Sequence, residues 1–403
     1  MRKPLEGIKV LDLTHGVAGP YCTMVLGDLG AEIIKIEKPE RGDATRYMNV
    51  SDRFHTDIPK VGGDYFLAIN RNKRSMALEL KTPEGRQICE ELAGWADIVV
   101  QNFRPGVTGR LGLDYASLKR FNPRLIYANI SAYGMGGAHA DKAGMDIAVQ
   151  ARSGLMRITG SPDSKEPMRA GASMADFGGG IYLVTAVLAA LYDRERTGEG
   201  QEVSVSLMDA TMSLLINYSV AVMDGGAEVA PLGSGHPQLV PYQSFPTRDG
   251  FVVVATGTNK TYRTFCDAIE RPDLSVDPRF ASNQSRVKNR AAIVAELSQV
   301  FSQRSTEQWI AILEKADIPC APVNELADAY EELRSTSPDM VTQVQHPQLG
   351  GLTQLGVPFR FSNCGGDIRR PPPMLGEHTE EVLAQLLGRS SEAIATLRAQ
   401  KVI

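Results

Sequence analysis

The sequence predicts an α/β protein with a large domain on a doubly wound, mainly parallel, Rossmann-like sheet. A second, smaller α+β domain and a C-terminal segment returning to the large domain complete it. Three observations predict this architecture. Buried-strand patterns alternate with helical patterns through roughly the first half of the chain, the order of successive βαβ units. Near Asp224 that alternation gives way to a stretch rich in glycine and small residues, Gly225 to Gly235, with the composition of a linker. Beyond Pro322, the pairs Gly350-Gly351 and Gly365-Gly366 and the run Pro371 to Pro373 punctuate extended segments before a last helical pattern from Thr379. At 403 residues the chain exceeds one ordinary core, and the expected divisions are 1–224, 225–325 and 326–403.

Each element has its own signal. Ile8 to Leu13 is an apolar strand, Pro20 to Gly30 a helix with proline in its first turn and glycine at its end, and Ala31 to Ile36 a second strand. The loop His15 to Gly19 between them carries glycines but not the GxGxxG spacing, so dinucleotide binding has little support. Ser75 to Leu80, Asp97 to Gln101 and Leu125 to Ser131 follow as strands, with a helix over Thr82 to Ala93. Phe177, Ile181, Val184, Leu188 and Leu191 recur at helical spacing and predict a helix ending near Arg194. A strand from Gly200 to Leu207 and one helix over Met208 to Met223 close the large domain. In the small domain, Tyr242 to Ala255 reads as a hairpin turning at Arg248 to Gly250, followed by helices near 260–269, 289–302 and 306–316.

Composition excludes several classes of function. With 43% hydrophobic and 22% charged residues and a net charge of −4, the chain gives no reason to expect nucleic acid or an anionic membrane as partner. Five scattered cysteines, Cys22, Cys89, Cys266, Cys320 and Cys364, form no CxxC pair, and no histidine stands near them at zinc-site spacing. A reducing, cytoplasmic setting is expected, with no signal segment and no membrane-length run. No HExxH and no Walker loop points to a metal or to phosphoryl transfer, so no metal site is expected.

What remains is a carboxylate. Asp176 stands directly before Phe177 and the run Gly178, Gly179 and Gly180, at the mouth of an apolar helix that glycine weakens by about 1 kcal/mol per residue against alanine. One reading holds Asp176 at a positive helix end, with a side-chain-free surface at Gly178 and Gly179 for a substrate to approach. The other is an aspartate N-cap with glycines for tight packing. Gly171 to Ala175 resembles a GxSxG elbow around Ser173, but its last glycine is missing and no buried strand precedes it. Basic residues cluster in and around the loops expected to follow strands, among them Lys38, Arg41, Arg71, Lys73, Arg74, Lys81, Arg104, Arg110 and Lys142. They read either as a solvated face or as partners for a ligand with several phosphates; coenzyme A, with three phosphate groups, is one such ligand.

Several segments together resemble the class III CoA-transferase family, almost from end to end. They are Gly7 to Thr14, Ala18 to Pro20, Leu29 to Glu37, Asn70 to Ser75, Asn102 to Gly106, Ala170 to Asp176, Thr197 to Gln201 and Pro373 to Thr379. The resemblance implies that Asp176 is the catalytic nucleophile. It implies CoA contacts from Val17, Ala18, Lys38, Leu78, Lys81, Asn102, Phe103, Arg104, Arg110 and the stretch Lys142 to Asp146, which includes Met145. Leu78 as sheet core, Asp146 as a helix cap and His15 as a turn residue stay open beside those roles. No tightly bound cofactor is implied; acyl-CoA and small carboxylic acids are the partners, and the oligomer is an interlocked homodimer.

The route implied is attack of Asp176 on a donor thioester, a mixed anhydride, then an aspartyl-CoA thioester, with backbone N–H groups near the glycine run holding the oxyanions. Gly233 to Pro237 and Tyr242 to Phe245 resemble members that use dicarboxylates, which would bring His236 to an acyl carboxylate; a structural loop histidine is the other reading. Two rivals remain. An α-methylacyl-CoA racemase needs a second base, where this chain has Met145. A noncatalytic CoA-binding protein has no need of the aspartate.

Overall fold

Side-chain alternation along the central strands sets the architecture of the large unit. In the computed structural model, which describes residues 2–51 and 60–403, β1 (Lys9–Asp12), β2 (Glu32–Glu37), β3 (Lys73–Ala77), β4 (Ile98–Gln101), β5 (Ile126–Ser131) and β6 (Glu202–Ser206) form one six-stranded sheet. Its order is β3-β2-β1-β4-β5-β6 and every pairing is parallel. Successive residues go to opposite faces: Val10, Ile33, Ile98 and Ile126 enter one core, while Leu11, Ile34, Val99 and Tyr127 enter another. Burial on both faces explains why these strands read as continuous apolar runs.

The helices cover the two faces. α1 (Ala18–Asp28), α2 (Asp64–Ile69), α3 (Pro83–Trp95), α4 (Val107–Leu111), α5 (Tyr115–Leu118), α6 (Asp146–Arg152) and α7 (Leu155–Ile158) precede the long α8 (Met174–Thr197). After β6 come α9 (Leu207–Leu214) and α10 (Ile216–Met223). α1 and α8 supply Cys22, Leu26, Leu183 and Val187 to one core; α3 supplies Ile88 and Leu92 to the other. α8 is long and apolar enough to cross a membrane by composition, but Leu183, Val187 and Ala190 are buried against the sheet side of the fold. The single helix expected over Met208 to Met223 is instead two, broken at Leu215.

The chain divides into two units, Met1–Leu155 with Arg169–Gly226 and Leu333–Ile403, and Met156–Met168 with Ala227–Glu332. Thus the segment 156–168, read in the sequence as part of the large domain, belongs to the smaller unit. That unit holds the antiparallel sheet β7 (Tyr242–Pro246), β8 (Phe251–Ala255) and β9 (Cys320–Pro322), with α11 (Asn259–Ala268), α12 (Asp273–Val276), α13 (Asn283–Lys288), α14 (Arg290–Phe301) and α15 (Thr306–Lys315). Its core stacks Phe245 on Phe301 at 5.0 Å and sets Trp309 edge-on to Phe301 at 4.8 Å. Ser305 and Gln308 close a capping box at the start of α15.

The C-terminal segment completes the large unit. After α16 (Leu326–Thr336), β10 (Val341–His346) and β11 (Gly350–Leu355) pair as an antiparallel hairpin packed on Leu67. The Ser75 carbonyl then accepts from His378 N–H at 2.9 Å, and Thr379 Oγ1 accepts from Ala77 N–H at 3.0 Å. Past α17 (Thr379–Glu381) and a π-helical turn at Val382–Leu386, α18 (Ser391–Ala399) adds Ile394 to the second core.

Candidate active site

β1 leads to α1, and β5 to α6 and then α8, so the loops after the strands meet along the C-terminal edge of the sheet, where open α/β folds bind ligands. The first turns of α8 lie there because its glycines admit close neighbours. A Cβ on Gly180 would come within 2.8 Å of the Ala18 carbonyl oxygen, one on Gly179 within 2.4 Å of Leu207, and one on Gly178 within 2.8 Å of Leu214. This corrects the reading of a side-chain-free surface offered to substrate at Gly179: it and Gly180 are buried, and the packing of α8 onto α9 and α1 accounts for them. Gly178 stays partly exposed, with the flexible end of the exposed Leu214 beside it.

Asp176 sits in the first turn of α8, half-buried. Burial, with the Asp146 carboxylate adding to it, pushes its carboxyl up to about 7. A carboxylate in that range is more basic than an ordinary one and still substantially ionised near neutrality, the combination a nucleophile needs.

Asp146 acts as a cap from outside the helix. Its Oδ1 accepts from the N–H groups of Ala175 at 2.9 Å and Asp176 at 3.3 Å, and its Oδ2 accepts from Gln150 at 2.7 Å, with Arg169 Nε 3.8 Å away. Ser173, at the N-cap position, makes no capping bond; its hydroxyl is 3.1 Å from that of Tyr65. Asp146 is therefore a helix cap, of α8 rather than of its own helix. The first-turn donors are committed as well: Ala175 and Asp176 to Asp146, Phe177 to the Ser173 carbonyl at 2.9 Å, and Gly178 onward to the helix ladder. The N–H groups of the glycine run itself are thus taken up by the helix ladder.

A pocket of about 470 Å³ opens beyond the ends of β1, β2, β3 and β4. It brings together five of the predicted CoA contacts, Lys38, Leu78, Lys81, Phe103 and Arg110, and adds His15. Lys38, Lys81 and Arg110 are solvent-facing cations on its rim, whereas Leu78 lines it with its side chain sunk in the second core. Asn102 shapes the loop: its Oδ1 accepts from the His15 N–H at 3.0 Å and its Nδ2 donates to the His15 carbonyl at 2.6 Å. The remaining predicted contacts do not line the pocket. Ala18 is buried at the start of α1 beside Val17, and Arg104, Lys142 and Met145 are exposed.

Beneath the pocket lies a charge network that sequence reasoning missed. Lys73 Nζ stands 3.1 Å from Asp12 Oδ2, and Lys35 Nζ 2.9 Å from Asp43 Oδ2, all four side chains fully buried. Asp12 also accepts from the hydroxyl of Thr23 at 2.6 Å and from the N–H of Thr14 at 2.9 Å. Asp43 accepts from the N–H of Gly16 at 3.1 Å and so fixes the first loop. Arg46 grips Glu37, the acidic residue that ends β2, through two bonds of 2.8 and 2.7 Å, so that carboxylate is not free for a ribose. Burial pushes the Lys73 ammonium down to about 8 despite its partner. Lys73 and Arg74, expected among basic loops for phosphate, instead begin β3, two residues earlier than the predicted strand, and Arg71 pairs with Asp28 at 2.7 Å. Lys35, a lone cation inside an apolar strand, was the signal available in the sequence.

Other nucleophiles fall away. Cys22, Cys89 and Cys266 are buried, with the Cys89 thiol pushed up to about 12 and that of Cys266 to about 11 by burial. Among the described residues, no group of three His, Cys, Asp or Glu is placed to hold a metal ion. His236 lies in the smaller unit, where its Nδ1 accepts from the Gln238 N–H at 3.1 Å and its ring stands 5.1 Å from that of Tyr242.

The chain is similar to known proteins over most of its length. The sequence model of CoA-transferase family III matches residues 5–379. The chain is 37% identical over 401 residues to a Mus musculus protein described as succinyl-CoA:glutarate CoA-transferase, aligning 100% of this chain and 90% of that protein. It is likewise 37% identical over 377 residues to an acetyl-CoA:oxalate CoA-transferase of Acetobacter aceti, covering 93% of each. The crystal structure of a CAIB/BAIF family protein from Brucella suis superposes with a TM-score of 0.85 at 36% identity, covering 96% of this chain and 100% of that one.

Proposed function

We propose, from the premise that the chain belongs to CoA-transferase family III and is an enzyme of that class, that it moves CoA from an acyl-CoA to a dicarboxylic acid through Asp176. The observation that carries this reading is a half-buried aspartate whose carboxyl is raised to about 7, at a helix start on the ligand-binding edge of the sheet. The Asp176 carboxylate attacks the donor thioester carbonyl, the C–S bond breaks, and CoA leaves as thiolate, giving a mixed anhydride. The thiolate then attacks the aspartyl carbonyl and expels the donor acid as carboxylate, which leaves an aspartyl-CoA thioester. An acceptor carboxylate attacks that thioester, and the released thiolate takes the acceptor acyl group and frees Asp176. No net proton moves and the thioester energy is kept, provided water is excluded from the anhydride.

The pocket suits the nucleotide end of CoA. Its volume falls in the usual range for small-ligand sites, its rim carries Lys38, Lys81 and Arg110 for phosphate, and the rings of His15 and Phe103, 5.8 Å apart, offer surfaces for a base. Lys81→Ala and Arg110→Ala are each expected to raise the Kd for CoA about fivefold to tenfold, with the effect shrinking as salt rises. Titration calorimetry at low and high ionic strength checks this; unchanged affinity in both variants would remove the pocket from the reading.

Dicarboxylate use is supported by the relatives described as acting on glutarate and on oxalate. A CoA-exchange panel pairing succinyl-CoA and acetyl-CoA with short monocarboxylic and dicarboxylic acids is the direct test. Dicarboxylates are expected to give the highest kcat/KM, and a preference for monocarboxylates would refute that part. A racemase reading finds no support at Met145, whose thioether cannot serve as the second base. The exposed apolar face of α10, with Ile216 at 70%, Val220 at 69% and Met223 at 76% exposure, is consistent with an interlocked homodimer. The buried free thiols suit a reducing compartment such as the cytoplasm.

A further inference from the structure

A carboxylate in the first turn of a helix normally enjoys the unpaired N–H groups there, which hold it ionised and lower its basicity. For Asp176 that benefit is withdrawn, because the Asp146 carboxylate occupies the N–H groups of Ala175 and of Asp176 itself. The Asp146 carboxylate is in turn fixed by Gln150, which is fully buried and whose Oε1 also accepts from the Ala170 N–H at 3.0 Å. One turn of α6 therefore clamps both ends of the segment that delivers the nucleophile.

We propose that Asp146 is a positioning residue for the transfer reaction: it takes the helix-end donors away from Asp176, sets a second negative charge beside it, and so keeps the nucleophilic carboxylate basic. The inference rests on Asp176 being the nucleophile. Among the described residues, the other ionisable groups packed around this turn are Arg169, on the segment before α8, at 3.8 Å from Asp146; Tyr65 on α2, bonded to Ser173; and Tyr21 on α1, whose ring meets that of Phe177 at 5.0 Å. Arg169 is exposed and opposes Asp146 only weakly, and burial pushes the Tyr21 phenol up, which keeps it neutral beside the nucleophile. The raised carboxyl of Asp176, to which Asp146 contributes after burial, agrees with this arrangement.

Charge and hydrogen bonding are separable by substitution. Asp146→Asn keeps an acceptor for the two N–H groups but removes the charge, and Asp146→Glu keeps the charge. For the Asn variant, the acidic limb of the kcat profile, expected near the value of about 7 for Asp176, should move down by about one pH unit. Its plateau should fall severalfold as the nucleophile becomes less basic, and the Kd for CoA should stay within twofold. The Glu variant should keep the limb near its original position. A limb that does not move in the Asn variant, or a change confined to CoA affinity, would overturn the proposal. If Asp176→Asn is inactive while the Asn variant at 146 shows an unmoved limb, this inference fails and the nucleophile stands; if Asp176→Asn remains active, both fail.

Discussion

Asp176→Asn is expected to lower kcat for CoA transfer by at least about a thousandfold, some 4 kcal/mol of barrier, while CoA still binds with near-normal affinity. The amide fits the same space but cannot form an anhydride, and the pocket residues Lys38, Lys81 and Arg110 are untouched by the change. The same variant carries a stability signature. The carboxyl of Asp176 is raised from 3.8 to about 7 in the folded chain, so folding favours its protonated form. That contribution is fully present below the unfolded value, declines as pH rises, and is lost above about 7. A neutral amide escapes the loss, so the variant should be more stable than the parent at pH 8 by on the order of 2 kcal/mol, after allowance for partial exposure, and little different at pH 4. Urea unfolding at the two pH values reads this directly. Gained stability with lost activity is what a functionally strained site shows.

Asp12→Ala is expected to cost about 3–5 kcal/mol of folding stability, the largest single loss among side chains away from the reaction. Lys73 would keep its place in the sheet with Asn70 and the Pro20 carbonyl as remaining partners, but its compensating charge would be gone. The N–H of Thr14 would lose its acceptor too, while the hydroxyl of Thr23 would fall back on the Gly19 and Pro20 carbonyls. Because Thr14 and Lys35 line the pocket, the loss should reach function as weakened CoA binding. Denaturant unfolding and CoA titration on the same preparation measure both; a loss below about 1 kcal/mol would show that the network is not the support described here.

Most of the large unit was legible because its strands, buried on both faces, leave unbroken apolar runs, and because Pro20 and Gly30 mark the ends of α1 so plainly. The Asp176 position was legible too, but its explanation was not. The glycines looked like a broken helix rule because Ala18 and Leu207, the neighbours that crowd Gly180 and Gly179, are remote in sequence. The role of Asp146 was hidden for the same reason: a cap normally lies within three residues of the donors it serves, and this one reaches across from another helix. The buried network escaped because Asp12, Lys35, Asp43 and Lys73 are polar one by one and make sense only as pairs. The assignment of 156–168 to the smaller unit left no mark in periodicity or composition at all.

Asp176 should be covalently acylated and then thioesterified during turnover. Incubating the enzyme with a donor acyl-CoA alone, quenching with hydroxylamine and mapping the peptides by mass spectrometry tests it most directly. A hydroxamate on Asp176 is expected only with donor present, and none in Asp176→Asn. An unmodified Asp176 in enzyme that continues to exchange CoA under the same conditions would contradict it.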